Sequence, residues 1–574
     1  MAPCSTPPLW RPAWPLLALV AGACLPLARV LASPLGVLPG SELSDVYKHS
    51  WSYWHTLQQL GRGTWPFTDL LNAPEGGLLL DVMLVPNLLM APVTLAAGPV
   101  LASNLWVLLM ITAVGAATYA LARRLTGSLS GALCAGLLVQ TSPYLLGHAL
   151  TSGVHERLLA WVFPLAVLAL LEARRAGGLR WPLALGGAAA LTGLSCPTYG
   201  LFLGVLMLLA APLLLPWLHE DRARIRPLLL TYGLVGLCLG GCAALYHWLV
   251  MHPGWLAAIP QQRVVPDLGV TSPEFDVARL ASLFNPVAVG LEQPTRTDDE
   301  LWLLVYIGWV PLLAMAGGVA VAARRRSRLL LGVLGLAALY LLLSLGPWVD
   351  AGALWIFNPF HHAVSYLVPF YGGAQPVWQQ AGVFVGLGMV GVAALIGAVP
   401  GRRRRWLLAV IVVAAALAER AVVLPVPPVL GTADARVPEI YDRAGGDGGL
   451  VDIPRFRPGK TLTVGQMFTA QTRHGHPVPV GININRGFFD DYSPLVGLQA
   501  GSWTPVAHCL RRRGYRWVVV HRDRFADRGL AQACVQGLKQ AVGQGVDDGV
   551  RVLFDLRKLP ARDVVESERC PVIR

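Results

Sequence analysis

The chain has 574 residues, of which 54% are hydrophobic and only 14% charged, with a mean hydropathy of +0.53. That balance excludes an ordinary soluble globular protein, where about a quarter of residues carry charge. The net charge of +13 does not point to nucleic acid: lysine is confined to Lys48, Lys460, Lys539 and Lys558, and the arginines stand in tight groups between apolar runs, a topology pattern.

Apolar runs near the ~20 residues needed to cross a bilayer recur from Trp10 to about Pro425. Residues 1–11 carry one arginine and lead into an apolar run ending near Ala32. No small-residue cleavage site follows, so this reads as an uncleaved first transmembrane helix with its N-terminus cytoplasmic. A net-acidic loop follows at 33–98, broken by the turn sequence NAPEG at 72–76. Within it, 44–60 (SDVYKHSWSYWHTLQQL) separates at helical period into two stripes. Asp45, Lys48, His49, Ser52, His55, Thr56 and Gln59 fall on one, and Val46, Tyr47, Trp51, Tyr53, Trp54, Leu57 and Leu60 on the other. Two readings fit: an amphipathic anchor lying at the membrane surface, or a helix whose Asp45 opens an active site.

The apolar stretch 82–97 is interrupted by Pro86 and Pro92. If it does not cross, Arg123/Arg124, Arg174/Arg175/Arg180, Arg222/Arg224/Arg226, Arg324–Arg326/Arg328 and Arg402–Arg405 all fall on one side. It is therefore assigned as re-entrant or surface-lying. About eleven spans result, near 12–32, 99–121, 128–147, 157–173, 180–196, 199–217, 227–250, 301–323, 329–347, 378–399 and 406–425. The first loop, 148–156, the acid-rich 251–300 and 348–377 then lie outside. The predicted organisation is an all-α polytopic membrane domain at 1–427 and an extracytoplasmic α/β domain at 428–574. In the latter, 450–454, 516–521 and 551–556 read as strands, with a helix at 525–543.

The spans carry no Asp, Glu or Lys near their middles, and Glu419 and Arg420 sit toward the outer end of the last. Ion-coupled transport usually marks itself with such residues, so its prior falls. No zinc spacing, CxxC, Walker loop or GxSxG element occurs. Cys509, Cys534 and Cys570 fall in the C-terminal region, enough for one disulfide and an odd thiol.

Charged and aromatic residues gather instead at the outer face. The pieces in order are Asp45 near the start of the first loop; WPFTDLLNAPEGG at 65–77; LARRLTGSLSGALCAGLLVQTSPYLLGHAL at 121–150; ELWLLVYIGWVPLL at 300–313; LLSLGP at 342–347; VPFYGGAQP at 368–376; and GYRWVVVHRDRF with VLFDLRK at 514–525 and 552–558. In this order they resemble the GT-C class of membrane glycosyltransferases, which take a sugar from a polyprenyl-phosphate carrier. One departure stands out: where those relatives carry arginines suited to gripping a lipid phosphate, this chain has Ala374 and Trp378 beside Gln375 and Gln379.

Glycosyl transfer from a phosphate ester needs the leaving charge stabilised, by a divalent metal or by cations, and a base for the acceptor hydroxyl. Asp45 can serve as that base or as a hard-metal ligand. The resemblance implies that the second outer loop supplies its partners, His155 and Glu156. Asp45, His155 and Glu156 are then the expected ligands of a divalent ion, Mg2+ or Mn2+, and Lys48 and His49 the substrate-phosphate contacts. The bland readings are a helix cap for His155–Glu156–Arg157, an interfacial role for His148, and dipole-favoured acids for Asp298, Asp299 and Glu300, which are left out of the site.

Two functions remain open. One is a plasma-membrane glycosyltransferase that moves a sugar from a polyprenyl-phosphate donor to an extracytoplasmic glycan or lipid acceptor. The other is a non-catalytic protein of the same architecture that handles lipid-linked glycans for export or assembly. Membrane lipids are expected partners of either; nucleic acid is not.

Overall fold

A computed structural model describes residues 13–42, 44–71, 73, 76–78, 83–151, 153–176, 178–218, 225–251, 306–350, 355–368, 371, 380–423, 430–454, 464–479, 503–525 and 527–560. Residues 252–300 of the acid-rich loop, residues 372–379 with Ala374, Gln375, Trp378 and Gln379, and Cys570 lie outside these.

The first apolar run forms two successive helices, α1 (Trp14–Cys24) and α2 (Ala28–Ala32). Pro26 lacks an N–H and its ring crowds the preceding turn, so the helix stops. The Pro26 carbonyl instead accepts from Leu430 N at 3.0 Å, beyond the last apolar helix. Strand β1 (Val37–Pro39) then leads into α3 (Val46–Arg62), the helix seen at 44–60. It ends at Gly63, whose φ of +68° is the left-handed conformation that suits a C-cap glycine.

The short strands β2 (Phe67–Thr68) and β3 (Gly77–Leu78) form a hairpin, and the chain continues as α4 (Leu84–Leu89) and α5 (Ala91–Ala97). Neither helix approaches the length needed to cross a bilayer. The helical layer is then α6 (Pro99–Thr126), α7 (Leu129–Gln140), α8 (Val162–Ala176), α9 (Arg180–Ser195), α10 (Pro197–Leu218), α11 (Ile225–Met251), α12 (Trp309–Arg324) and α13 (Arg328–Ser344). A hairpin of β4 (Trp348–Asp350) and β5 (Trp355–Phe357) precedes α14 (Pro359–Leu367), α15 (Ala381–Ala398) and α16 (Arg402–Val423).

Among the described residues, four helices are long and apolar enough to cross a membrane: Pro99–Thr126, Leu129–Gly147, Ile225–Trp248 and Ala381–Ala398. Packing is close because small residues face each other. A Cβ on Gly136 would meet Gly115 O at 2.8 Å, and one on Gly318 would meet Gly391 O at 2.0 Å. The buried Gln140 amide donates to Leu19 O (2.9 Å) and Ile111 O (3.2 Å), joining α1, α6 and α7.

After the helices, β6 (Thr432–Asp434) returns to pair antiparallel with β1, Val37 opposite Asp434. A four-stranded mixed sheet follows in the order β7 (Gly449–Ile453), β8 (Tyr515–His521), β10 (Arg551–Asp555), β9 (Val546–Asp547). β7 and β8 are parallel; the other neighbours are antiparallel. Side chains alternate along β8 as a strand requires. Val518 and Val520 join the core under α18 (Trp503–Arg512) and α19 (Arg528–Val542), while Trp517 and Val519 face Ile440, Tyr441 and Ala470 of the other side. Cys509 is disulfide-bonded and Cys534 is a buried free thiol.

Candidate functional site

The amphipathic helix α3 is not a surface anchor. His49, Ser52, His55, Thr56 and Gln59 of its polar stripe are buried, and so are Tyr47, Trp51 and Tyr53 of the other. Burying a polar stripe is costly unless most of its groups meet partners. Asn87 of α4 donates to Ser52 O (3.1 Å) and Thr56 Oγ1 (2.8 Å). His55 Nε2 lies 2.9 Å from Thr68 Oγ1, and Thr64 Oγ1 donates to Gln59 Oε1 at 2.5 Å. The aromatic stripe packs against α17 (Val464–His474): Trp51 Nε1 donates to Gln471 Oε1 at 2.8 Å, and its ring lies 5.1 Å from that of Phe468.

The first turn of α3 meets the second outer loop. That loop runs through a π-helical turn (Leu145–Thr151), which includes His148, and a 3-10 helix (His155–Trp161). Gly153 sits between them at φ +70°, and a Cβ there would stand 2.2 Å from Val46 N and 2.9 Å from Asp45 C. Only glycine lets the two backbones approach so closely.

This contact brings together three of the five expected site residues. His49 Nε2 stands 3.0 Å from Glu156 Oε2, and the His155 ring stacks on that of His49 at 5.2 Å. His155 is fully buried, and neither ring nitrogen has a hydrogen-bond partner among the described residues. Burial pushes it down to about 3, with His49 adding to the shift and Glu156 opposing it, so the ring stays neutral. Burial would raise the Glu156 carboxyl, but the charge and contact of His49, with Lys48 and Arg157 beyond, outweigh it and hold the carboxyl below its usual range. The Glu156 side chain keeps 20% of its exposure against 5% for His49, so the carboxylate is the open edge of the pair.

Asp45 is the exposed N-cap residue of α3, with no side-chain capping bond. Lys48 is half-buried beside the pair and acts on Glu156 through its charge. The three-ligand set Asp45, His155 and Glu156 expected for Mg2+ or Mn2+ is not assembled: among the described residues, no group of three or more His, Cys, Asp or Glu stands ready to hold a metal ion. The reason is local. Residues four apart lie one above the other on a helix, and His49, a turn after Asp45, is the one that meets Glu156.

A carboxylate against a histidine is a proton-handling arrangement. A carboxylate so placed can steady an imidazolium formed when the histidine accepts a proton. Two contributors escaped the sequence reading. Arg157, buried next to Glu156, carries no sequence signal beyond that of a helix cap. Asn87 stands in a stretch read as apolar, although a polar residue among apolar ones next to a predicted polar stripe was the available signal.

No family model and no curated protein matches the chain. Among solved structures, it is similar to the oligosaccharyltransferase AglB of Archaeoglobus fulgidus, in complex with an inhibitory peptide and a dolichol-phosphate, at 13% identity and a TM-score of 0.49, over 91% of this chain and 72% of that one. The apo form of the Archaeoglobus fulgidus oligosaccharyltransferase overlaps at 14% identity and TM-score 0.47, over 91% and 73%. ArnT from Cupriavidus metallidurans overlaps at 15% identity and TM-score 0.37, over 96% and 99%. Overlaps at this level do not assign a chemistry to this chain, which has to come from the residues themselves.

Proposed function

We propose that this chain is a multipass plasma-membrane glycosyltransferase that moves a sugar from a polyprenyl-phosphate donor to an extracytoplasmic glycan or lipid acceptor. In this reading the N-terminus is cytoplasmic, about eleven spans cross the bilayer, and residues 428–574 form an extracytoplasmic α/β domain. The observation that carries it is the meeting of His49 and Glu156 at 3.0 Å, one from each of the first two outer loops. His49 takes the acceptor hydroxyl's proton, Glu156 steadies the charge, and Lys48 stands by for the donor phosphate. The order of sequence pieces resembling GT-C enzymes adds to it.

A second reading, a non-catalytic protein of the same architecture for export or assembly of lipid-linked glycans, draws on the exposure of Asp45 and on Ala374 and Trp378 at the arginine places. One experiment separates the two. A strain lacking the protein is complemented with wild type, His49→Gln or Glu156→Gln, and its envelope glycans are compared. The transferase reading expects restoration by wild type alone; restoration by all three would remove it and favour the second.

A further inference from the structure

Away from the His49–Glu156 pair, a polar cavity of about 130 Å³ opens between the first loop and the chain that follows the last apolar helix. Glu42 and Tyr47 line it from the first loop, Tyr441 and His521 are its buried lining, and Arg524 and Arg551 reach it from the ends of the sheet. At about 30 Å³ per water it holds roughly four water volumes, room for the hydroxyl edge of one sugar ring but not for a chain.

Behind the lining lies Asp452, buried in β7. Its Oδ1 accepts from Tyr441 Oη–H at 2.5 Å and from His521 Nε2 at 2.9 Å. The tautomer that gives Nε2–H to Asp452 leaves Nδ1 of His521 as an acceptor. His474 stacks on the Tyr441 ring at 5.4 Å. Asp452 Oδ2, His521 Nδ1 and His474 Nε2 are all buried with no hydrogen-bond partner among the described residues. Buried polar atoms are nearly always partnered, and of these three residues His521 is the one that lines the cavity, so its Nδ1 is placed to meet a hydroxyl-bearing guest.

The charges say which guest. Each arginine of the wall already faces a carboxylate: Arg436 is bidentate with Asp434 (2.8 and 2.9 Å at the shortest), Arg524 lies 3.4 Å from Asp523, and Arg551 lies 3.5 Å from Asp548. Such pairs leave donors and acceptors in a compensated field, which suits an uncharged, hydroxyl-rich group better than a phosphate or carboxylate. The geometry points to a binding site for one neutral sugar residue between Glu42–Tyr47 and the Tyr441–Asp452–His521 network. Its role as the acceptor's holding site rests on the transferase reading; the binding itself does not.

The test uses the full chain purified in a detergent without sugar head groups. Saturation-transfer NMR is recorded with methyl glycosides of a neutral hexose and a neutral pentose, and with the matching methyl uronide. Transfer to a neutral glycoside is expected, with its apparent Kd raised at least ~10-fold by Arg551→Gln and by Glu42→Gln, an exposed position where folding is not at stake. Glu156→Gln should bind the glycoside as wild type does. No transfer from either neutral glycoside, equal affinity in both lip variants, or preference for the uronide would each overturn the site. If envelope glycans prove indifferent to Glu156 while glycoside binding persists, the site stands and its role as acceptor subsite falls.

Discussion

Gln471 accepts a 2.8 Å hydrogen bond from the indole of Trp51, and its amide nitrogen donates to Leu70 O (2.7 Å) and His476 O (2.9 Å). One fully buried carboxamide therefore ties α3, the loop after it and α17 together. Gln471→Leu keeps the volume but orphans the Trp51 indole N–H and His476 O, while Leu70 O keeps its bond from Val478 N, so it should destabilise by about 1–3 kcal/mol. Thermal unfolding of the protein in detergent checks this. A variant as stable as wild type would mean that the indole and the carbonyls find other partners.

Gly153 and Gly63 share the left-handed conformation, at φ +70° and +68°, but not their surroundings. A Cβ on Gly63 meets nothing within 4 Å, whereas one on Gly153 runs into the backbone of Val46. Gly63→Ala should cost about 1–2 kcal/mol, the left-handed penalty alone. Gly153→Ala should cost more and also weaken function, because the loop carrying Glu156 must move off α3. Equal stability and activity of the two variants would remove the argument that this contact sets the site.

The sequence already outlined much of this. Period marked a helix at 44–60, and the helix runs over Val46–Arg62. The β-branched run at 516–521 is the strand Tyr515–His521. Arginine groups mark helix ends, as at Arg123 and Arg124 in the last turn of α6. Period does not say what covers a face, however. The partners that bury the polar stripe, Asn87, Thr68 and Glu156, come from separate segments, so the helix read equally well as an anchor. Both Asp45 and Glu156 begin helices, yet which side chain faces across a gap depends on the rotation of each helix about its axis, and it is His49, a turn beyond Asp45, that meets Glu156. Pro26 was legible as a breaker and was outweighed by the apolar run around it.

His55 offers a pH test. Burial first, then the charge of Arg62, lowers it to about 3, with Nε2 beside Thr68 Oγ1 and the ring stacked on Trp51 at 4.2 Å. The unfolded chain takes up this proton near pH 6.5, while the folded chain refuses it until about 3. Between those values the unfolded state binds more protons, so stability falls as pH drops from about 6.5 toward 3. His55→Phe removes that titration. Its unfolding midpoint should therefore depend less steeply on pH across this window than that of wild type. Parallel curves would show that His55 protonates in the folded state without penalty.

The final prediction ranks the carboxylates of the two outer loops. Glu156 touches His49, while Asp45 stands exposed at the N-terminal end of α3 without a capping bond. A group that shares in proton transfer contributes on the order of 10²–10⁴-fold, so Glu156→Gln should lower glycan transfer by ~10²-fold or more. His49→Gln should do the same. Residues acting as one unit are not additive, so the double variant should be little worse than either single one. Asp45→Asn should cost less than ~10-fold, since an exposed carboxylate is screened by water and gains little control over a proton. The measurement is the rate of envelope-glycan labelling in complemented cells, with each variant's membrane level matched to wild type. The opposite order, with Asp45→Asn inactive and Glu156→Gln near normal, would move the site one turn back along α3 and remove the His49–Glu156 pair from the reaction.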